Sequence, residues 1–256
     1  MAETFAGLKG GALIIGSLLW QDDLNEPGDQ VRKIWRDNHL LESQGLQVIA
    51  PIRYGRQSSN GEITMVFSRY ARAKPGMAWV VPFSSDETEN NAHLLREIQA
   101  MSVAEGMNGR YISTRRQGNE REAWATIGLI LNNTRIQSAK RQKLLAWWQE
   151  ELKTDPNFEY LKPQSYCVGK EQSCLTRDGM LAIPWVKALH KKDEKSLNQF
   201  DYLIATATRP NLPKYPSNTQ LLENVKNDLE RNYFRNNYKR KITTWQDEKI
   251  IQKLGK

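Results

Sequence analysis

The stretch Ala12-Leu13-Ile14-Ile15-Gly16-Ser17-Leu18-Leu19-Trp20 decides how the first part of this chain folds. Its continuous apolar character predicts a buried strand over residues 11–20. The run is interrupted at Gly16-Ser17 and falls into the acidic pair Asp22-Asp23. Because a glycine in a buried strand allows close approach to the backbone, the break exposes N–H groups to a small ligand. The stretch therefore predicts a ligand-binding loop after the first strand.

The composition is that of a folded protein rather than a disordered or membrane-spanning one. The 256 residues are 39% apolar and 26% charged, and they include eight Trp and nine Tyr. No apolar run approaches the ~20 residues that cross a bilayer. The beginning of the chain lacks the basic start and cleavage site of a secretory signal. We therefore expect a cytoplasmic protein with no membrane association.

The net charge of +8 is unevenly distributed. Residues 1–150 carry 18 basic and 16 acidic side chains, whereas residues 151–256 carry 19 and 13. A basic region of this kind indicates a nucleic acid, an acidic partner or a solvated helix face. Residues 232–241 interleave aromatic and charged side chains, as a face that binds single strands does. The chain has no helix-turn-helix, zinc-finger or RNA-recognition motif.

Cysteine and histidine usage predicts neither a metal site nor a cofactor. Cys167 and Cys174 are separated by six residues, and in a cytoplasmic protein two free thiols are expected. The three histidines, His39, His93 and His190, are scattered. Their spacing relative to the cysteines is not that of a zinc site.

Periodicity divides the chain into a strand-rich part, residues 1–135, and a helix-rich part, residues 136–256. Besides the first strand, the pattern predicts strands at 46–52, 64–67, 77–83, 111–114 and 122–131. It predicts helices at 87–105, from 137 onward, at 185–189 and at 219–238. Turns and loops are expected at 27–29, 58–61, 75–76, 115–121 and 206–216. Strands followed by helices favour an α+β fold.

Three short motifs follow one another in the strand-rich part. They are Gly16-Ser17-Leu18 after the first strand, the strand segment Gly76-Met77-Ala78-Trp79-Val80-Val81-Pro82, and Glu105-Gly106 followed by Tyr111. Their order and their strand and helix context resemble the gamma-glutamylcyclotransferase-like family. The resemblance covers residues 10–135, about half of the chain. It implies a small mixed β-barrel or sheet domain, to which the helix-rich part is a C-terminal extension.

The resemblance also implies the residues of a site. Gly16, Ser17 and Leu18 would form the loop whose N–H groups bind substrate oxygens, and Glu105 would be the catalytic acid and base. Tyr111 would line the pocket. Ile15 stands where the family has a tyrosine, so a hydroxyl that contacts substrate is replaced by an apolar side chain. No metal or organic cofactor is implied.

The chemistry needs only one carboxylate, whatever the family. A γ-glutamyl amide carries its own nucleophile, the α-amine, so positioning supplies much of the rate. A carboxylate with a raised pKa can take a proton from this amine and return it to the leaving nitrogen, as Glu105 would. Without the family order, a Glu at this position is most often a solvated residue before a helix C-cap. Ser17 is not expected to be a nucleophile, because no Gly-x-Ser-x-Gly elbow surrounds it.

Two groups of basic and aromatic residues are candidates for contact with an anionic substrate. Arg53, Tyr54 and Arg56 follow a strand and are expected near the cleft mouth. Arg32, Trp35 and Arg36 have helical spacing, which fits an amphipathic surface helix or one arginine turned to the substrate. Arg115, Arg116 and Arg121 are expected to be solvated in a loop.

Three functions therefore remain open. The first is a cyclotransferase-type enzyme that releases 5-oxoproline from a γ-glutamyl amine or peptide. The second is a non-catalytic relative that binds a small metabolite or a protein, which Ile15 favours because one fold hosts many functions. The third is a nucleic-acid-binding protein that uses the basic second half. The extension is expected to cover the cleft, form a homodimer interface or bind another protein.

Overall fold

The computed structural model describes residues 5–22, 30–85, 88, 90–228 and 232–255. Within them the chain is an α+β protein, in agreement with the sequence pattern. The strands are β1 Gly10–Ile14, β2 Leu46–Ala50, β3 Ile52–Gln57, β4 Ile63–Phe67, β5 Gly76–Pro82, β6 Ile112–Gln117, β7 Glu120–Leu131, β8 Lys187–Ala188 and β9 Tyr202–Thr208. The α-helices are α1 Val31–His39, α2 Asn91–Ala104, α3 Ser138–Thr154, α4 Glu194–Leu197, α5 Asn218–Asn227, α6 Tyr233–Lys239 and α7 Asp247–Leu254. The turn predicted at 27–29 lies outside the described residues.

Seven strands form one mixed sheet in the order β6-β7-β9-β1-β5-β2-β8. Strands β1 and β9 are parallel, and every other neighbouring pair is antiparallel. The sheet has two edge strands, β6 and β8, so in the described residues it is open rather than closed into a barrel. Strands β3 and β4 form a separate two-stranded ribbon.

Strand β9, from the second half of the chain, is a central strand of the sheet between β7 and β1. Six of its seven residues, Tyr202 to Ala207, are buried, as expected for a strand that is covered on both faces. This strand was not predicted, because the pattern of residues 136–256 indicated a helix-rich segment. The boundary predicted at residues 135–136 does not divide the sheet, because β9 pairs with strands from the first half.

The first strand is shorter than predicted, and it ends where the glycine break begins. Strand β1 stops at Ile14, and Ser17–Leu19 form a 3-10 helix rather than a continuation of the strand. A Cβ atom on Gly10 would lie 2.1 Å from the ring of Tyr202 on β9. Close approach of two central strands therefore requires glycine there.

Three further predictions about strands and loops were wrong. The strand predicted at 46–52 is two strands, β2 and β3, which separate at Pro51 and enter different sheets. The loop predicted at 115–121 is a tight hairpin in which Arg115 and Arg116 belong to β6 and Arg121 to β7. The helix predicted at 185–189 is an extended segment whose residues 187–188 pair with β2 as strand β8.

The long helix predicted at 219–238 is two helices, α5 and α6. Helix α5 ends before Asp228, whose carboxylate accepts hydrogen bonds from the backbone N–H groups of Asn232 and Tyr233 at 2.9 and 2.6 Å. Asn232 has a left-handed backbone with φ of 49°. Asparagine tolerates this conformation better than most residues, so α6 starts in a new direction.

The helix predicted at 87–105 is observed as α2, Asn91–Ala104. The side chain of Asn90 accepts a hydrogen bond from the N–H of His93 and caps its start. Gly106 and Gly109, both with positive φ, follow its end as predicted. Among the helices of the described residues, none has the length and apolar character needed to cross a bilayer.

Candidate functional site

A cavity of about 680 Å³ opens beside the end of β1. Its walls come from the loop after β1, the β3–β4 hairpin, the C-terminal end of α2, strands β6, β7 and β9, and helix α6. Four of the residues predicted for the binding loop line it, namely Ile15, Gly16, Ser17 and Leu18. Glu105, about 90 residues further along the chain, lines the same cavity.

The loop after β1 presents backbone donors because a short 3-10 helix begins there. The first N–H groups of a helix have no acceptor within it. The N–H groups of Ser17 and Leu18 donate no hydrogen bond within the described part of the chain. The carbonyls of Gly16 and Ser17, in contrast, accept bonds from Leu19 and Trp20 at 3.2 and 3.1 Å. The loop is therefore held from its carbonyl side while its N–H groups remain available.

Glu105 lies at the point where α2 ends and the chain reverses. Its N–H donates to the carbonyl of Met101 at 3.0 Å, and Gly106 then takes a positive φ of 73°. This geometry sends the backbone away and leaves the carboxylate, 19% exposed, at the cavity wall. Burial raises the pKa of Glu105, and the positive charge of Arg32 opposes the rise. A partly desolvated carboxylate with a raised pKa is better suited to exchange a proton with a ligand than an exposed carboxylate is.

Arg32, on α1, connects the loop to the end of α2. Its Nη2 lies 3.9 Å from Oε2 of Glu105, its Nη1 donates to Oγ of Ser17 at 3.1 Å, and its Nε donates to the carbonyl of Ala104 at 3.1 Å. Residues 32–36 were expected to form a surface helix or to turn one arginine toward the substrate. The second expectation fits Arg32, which lines the cavity. Trp35 and Arg36 are buried, and Arg36 donates to the carbonyl of Leu18 at 2.7 Å.

Thr206, on the unpredicted strand β9, lies on the cavity wall near Glu105. Only 7% of the residue is exposed, and its Oγ1 is buried without a hydrogen bond of normal geometry. The hydroxyl is nevertheless near enough to Glu105 to lower the pKa of that carboxyl. Strand β9 therefore contributes a hydroxyl to the cavity wall beside the carboxylate of Glu105.

Arg53, Tyr54 and Arg56, which were predicted near the cleft mouth, do not all line the cavity. Arg56 lines the cavity, but Arg53 and Tyr54 do not. The guanidinium of Arg53 lies 3.7 Å from the ring centroid of Tyr215, and the hydroxyl of Tyr54 donates to Asp247 at 3.2 Å. A β-bulge between Tyr54 and Arg56 changes which face the strand presents. The expectation that Arg53 and Tyr54 contact the substrate is corrected accordingly.

Tyr111 does not line the cavity either, contrary to what the resemblance implied. Its N–H donates to Asp155 at 2.6 Å, and its ring packs edge-on against Trp148, with centroids 5.4 Å apart. Its hydroxyl is 3.5 Å from a carboxylate oxygen of Glu151. These contacts direct the side chain toward α3 rather than into the cavity.

Several lining residues were not among the predicted ones. They are polar or aromatic, and include Arg115, Trp124, Thr206, Tyr233, Asn236 and Glu62. Tyr233 and Asn236 belong to α6, so the C-terminal part of the chain covers one side of the cavity, as one of the predicted roles required. Burial is the main cause of the raised pKa of Tyr233, and the negative charge of Glu105 raises it further. This effect indicates that the two side chains are near each other. No sequence signal marked these residues, because they come from elements far apart in the chain.

Within the described residues, no group of three or more His, Cys, Asp and Glu side chains is arranged to hold a metal ion. Comparison of the chain with protein families, with curated proteins and with solved structures gave no match.

Proposed function

We propose that this protein is a cyclotransferase-type enzyme that releases 5-oxoproline from a γ-glutamyl amine or peptide. The observation that carries the proposal is the meeting of residues 15–18 and Glu105 in one cavity. Both segments were chosen through the same family resemblance. Nothing in their local patterns requires them to be neighbours.

The reaction has a simple balance of bonds and protons. The α-nitrogen of the γ-glutamyl group forms a bond to the γ-carbonyl carbon, and the amide bond to the amine breaks. The two protons that the α-ammonium loses end on the departing amine. Because the nucleophile and the electrophile belong to one molecule, the enzyme's main tasks are to fold the substrate and move these protons.

Glu105 is the proton carrier in this scheme. Its raised pKa brings it closer to the pH at which it both accepts and returns protons efficiently. Arg32, 3.9 Å away, favours the ionised form of Glu105, which is the form that acts as the base. The free N–H groups of Ser17 and Leu18 are suited to stabilise the oxyanion that develops on the γ-carbonyl.

The proposal is tested by incubating the protein with γ-glutamyl amino acids, γ-glutamyl amines and glutathione, and measuring 5-oxoproline by mass spectrometry. We expect product with the unchanged protein and a loss of about 100-fold or more in Glu105→Gln, which keeps the shape but removes the base. Glu150→Gln, whose side chain is 73% exposed on α3, is the matched control and should retain activity.

Glu62→Gln distinguishes Glu105 from a second carboxylate of the same cavity. If activity disappears in Glu62→Gln and survives in Glu105→Gln, the assignment of the base is wrong. Absence of 5-oxoproline from every substrate, in a protein whose circular dichroism shows it to be folded, contradicts the enzymatic function. A metabolite-binding role would then be favoured.

The nucleic-acid alternative rests on residues 232–241, and the packing of these residues in the fold gives it little support. In residues 232–241, Tyr233 and Phe234 are buried, at 8% and 3% exposure. Phe234 stacks on Tyr54 and Tyr238, with centroids 6.4 and 6.3 Å apart. Rings that are packed inside the protein do not offer a stacking surface to bases.

A further inference from the structure

The cavity contains a second cluster of charge, formed by Arg56 on β3 and Arg115 on β6. Arg56 is 8% exposed and Arg115 is half-buried. The guanidinium of Arg56 lies over the ring of Trp124, 5.1 Å from its centroid, and its Nη1 donates to the carbonyl of Arg209 at 3.0 Å. These contacts hold the Arg56 side chain in one orientation at the cavity wall.

This arginine pair has no ion-pair partner among the described residues. Within the described part of the chain, no carboxylate lies within 4 Å of the guanidinium of Arg56 or Arg115, although Glu122 pairs with the neighbouring Arg209. Burial, together with the charges of Arg115 and Arg209, lowers the pKa of Arg56 to about 10. A buried cation surrounded by other cations is costly unless an anion joins it.

The arginine pair and Glu105 occupy different parts of the cavity. Arg32 on α1 lies 3.9 Å from Glu105. Arg56 and Arg115 belong to β3 and β6, on other walls of the cavity, and neither forms a hydrogen bond or ion pair with Glu105 among the described residues. A ligand that reaches both parts therefore presents its reacting group to Glu105 and another group to the arginines.

We propose that Arg56 and Arg115 form a second, cationic subsite of this cavity, which binds a carboxylate or phosphate group of the ligand. Guanidinium groups suit both anions, because their planar donors match two oxygens at once. Placing this anionic group on the leaving amine of a γ-glutamyl substrate rests on the proposed function. The anion subsite itself does not.

Arg115→Gln tests the subsite with little risk to folding, since the Arg115 guanidinium makes no hydrogen bond or ion pair with any other described residue. Arg116→Gln is the matched control. Arg116 is the next residue on β6 and is exposed, and it lines a separate hollow with Arg121 and Tyr160. Successive residues of a strand face opposite sides, so only Arg115 is turned to the cavity.

The first measurement compares three substrates, γ-glutamylglycine, its C-terminal amide, and γ-glutamyl-O-phosphoethanolamine. We expect Arg115→Gln to raise KM about tenfold or more for either or both acidic substrates and to leave the amide unchanged. The acid that is affected more identifies carboxylate or phosphate as the preferred group. The subsite is overturned if Arg115→Gln raises KM equally for the acids and the amide. It is also overturned if Arg116→Gln raises KM for the acids as much as Arg115→Gln does.

The second measurement does not depend on turnover. Binding of glutarate and of inorganic phosphate to the unchanged protein and to both variants is measured by calorimetry. Binding that weakens about tenfold in Arg115→Gln alone supports the subsite even if no substrate is converted, and the proposed function then fails by itself. Binding of neither anion overturns the subsite, as does binding that only Arg116→Gln weakens. Turnover without discrimination between acid and amide leaves the function standing and removes the subsite.

Discussion

The hydroxyl oxygen of Tyr233 lies 2.9 Å from the position that a Cβ atom on Gly16 would occupy. The backbone of Gly16 is extended, with φ of −169°, so any residue could adopt its conformation. Glycine is required there by the closeness of Tyr233 rather than by the dihedral angles. The same hydroxyl accepts a hydrogen bond from the N–H of Met65 at 3.3 Å. One side chain of α6 therefore joins the loop after β1 to the β3–β4 hairpin.

We predict that Gly16→Ala costs about 1–3 kcal/mol of stability, because the added methyl group displaces Tyr233 from Met65. Tyr233→Phe alone should cost about 1 kcal/mol, since it leaves the Met65 N–H without its acceptor. Urea unfolding of the two single variants and the double variant measures the coupling. Gly16→Ala should be cheaper in the Tyr233→Phe background. Equal costs in both backgrounds would contradict the contact.

The pH dependence of activity should report the pair Arg32 and Glu105. Burial raises the pKa of Glu105 and Arg32 opposes the rise, so removing the positive charge should raise that pKa further. Because the base must be ionised, activity is lost as the pH falls through this pKa. In Arg32→Gln we expect the acid limb of kcat/KM to move to higher pH. Lys33→Gln, an exposed neighbour on α1, should leave the limb in place.

The part of the fold that the sequence predicted comes from local patterns. The run before Gly16 identifies β1, and the periodic apolar residues of α2 identify the helix that carries Glu105. Strand β9 was missed because its place between β7 and β1 depends on pairings with residues far away in the chain. Residues 115–121 were predicted as a loop between two strands because Arg115 and Arg116 occupy the edge strand β6, where charged residues are as common as in loops.

The residues of the cavity also divide into those that a local pattern marks and those that only tertiary packing brings together. Gly16 and Glu105 were found because each ends a regular element, a position that a sequence pattern marks. Tyr111 was misplaced because spacing does not show which way a side chain points, and its backbone bond to Asp155 sets that direction. Thr206 and Tyr233 reach the cavity only through the tertiary packing of β9 and α6.

Two glycines with the same backbone conformation should respond differently to substitution. Gly118 and Gly179 have φ of 62° and 71°. A Cβ atom on Gly118 meets nothing within 4 Å, whereas one on Gly179 would lie 2.7 Å from Nε1 of Trp148 and 2.8 Å from Leu152. We expect Gly118→Ala to cost about 1 kcal/mol from the left-handed backbone alone and Gly179→Ala about 3 kcal/mol or more. Urea unfolding checks this difference, and equal losses would contradict the close packing against α3.

The stability of the protein should fall as the pH rises from about 4 to about 7. Asp247, the fully buried first residue of α7, is the reason, because burial raises the pKa of its carboxyl to about 7. The unfolded chain releases this proton near pH 4, so between the two values the folded state holds more protons and loses stability with rising pH. Asp247→Asn cannot titrate but retains an acceptor for Thr244 or Tyr54. The melting temperature of this variant minus that of the unchanged protein should increase across this interval and level off above pH 7. Each kcal/mol of stability corresponds to about 2–4 °C. Parallel pH curves for the two proteins would contradict this prediction, because they would show that the carboxyl of Asp247 is already ionised in the folded state near pH 4.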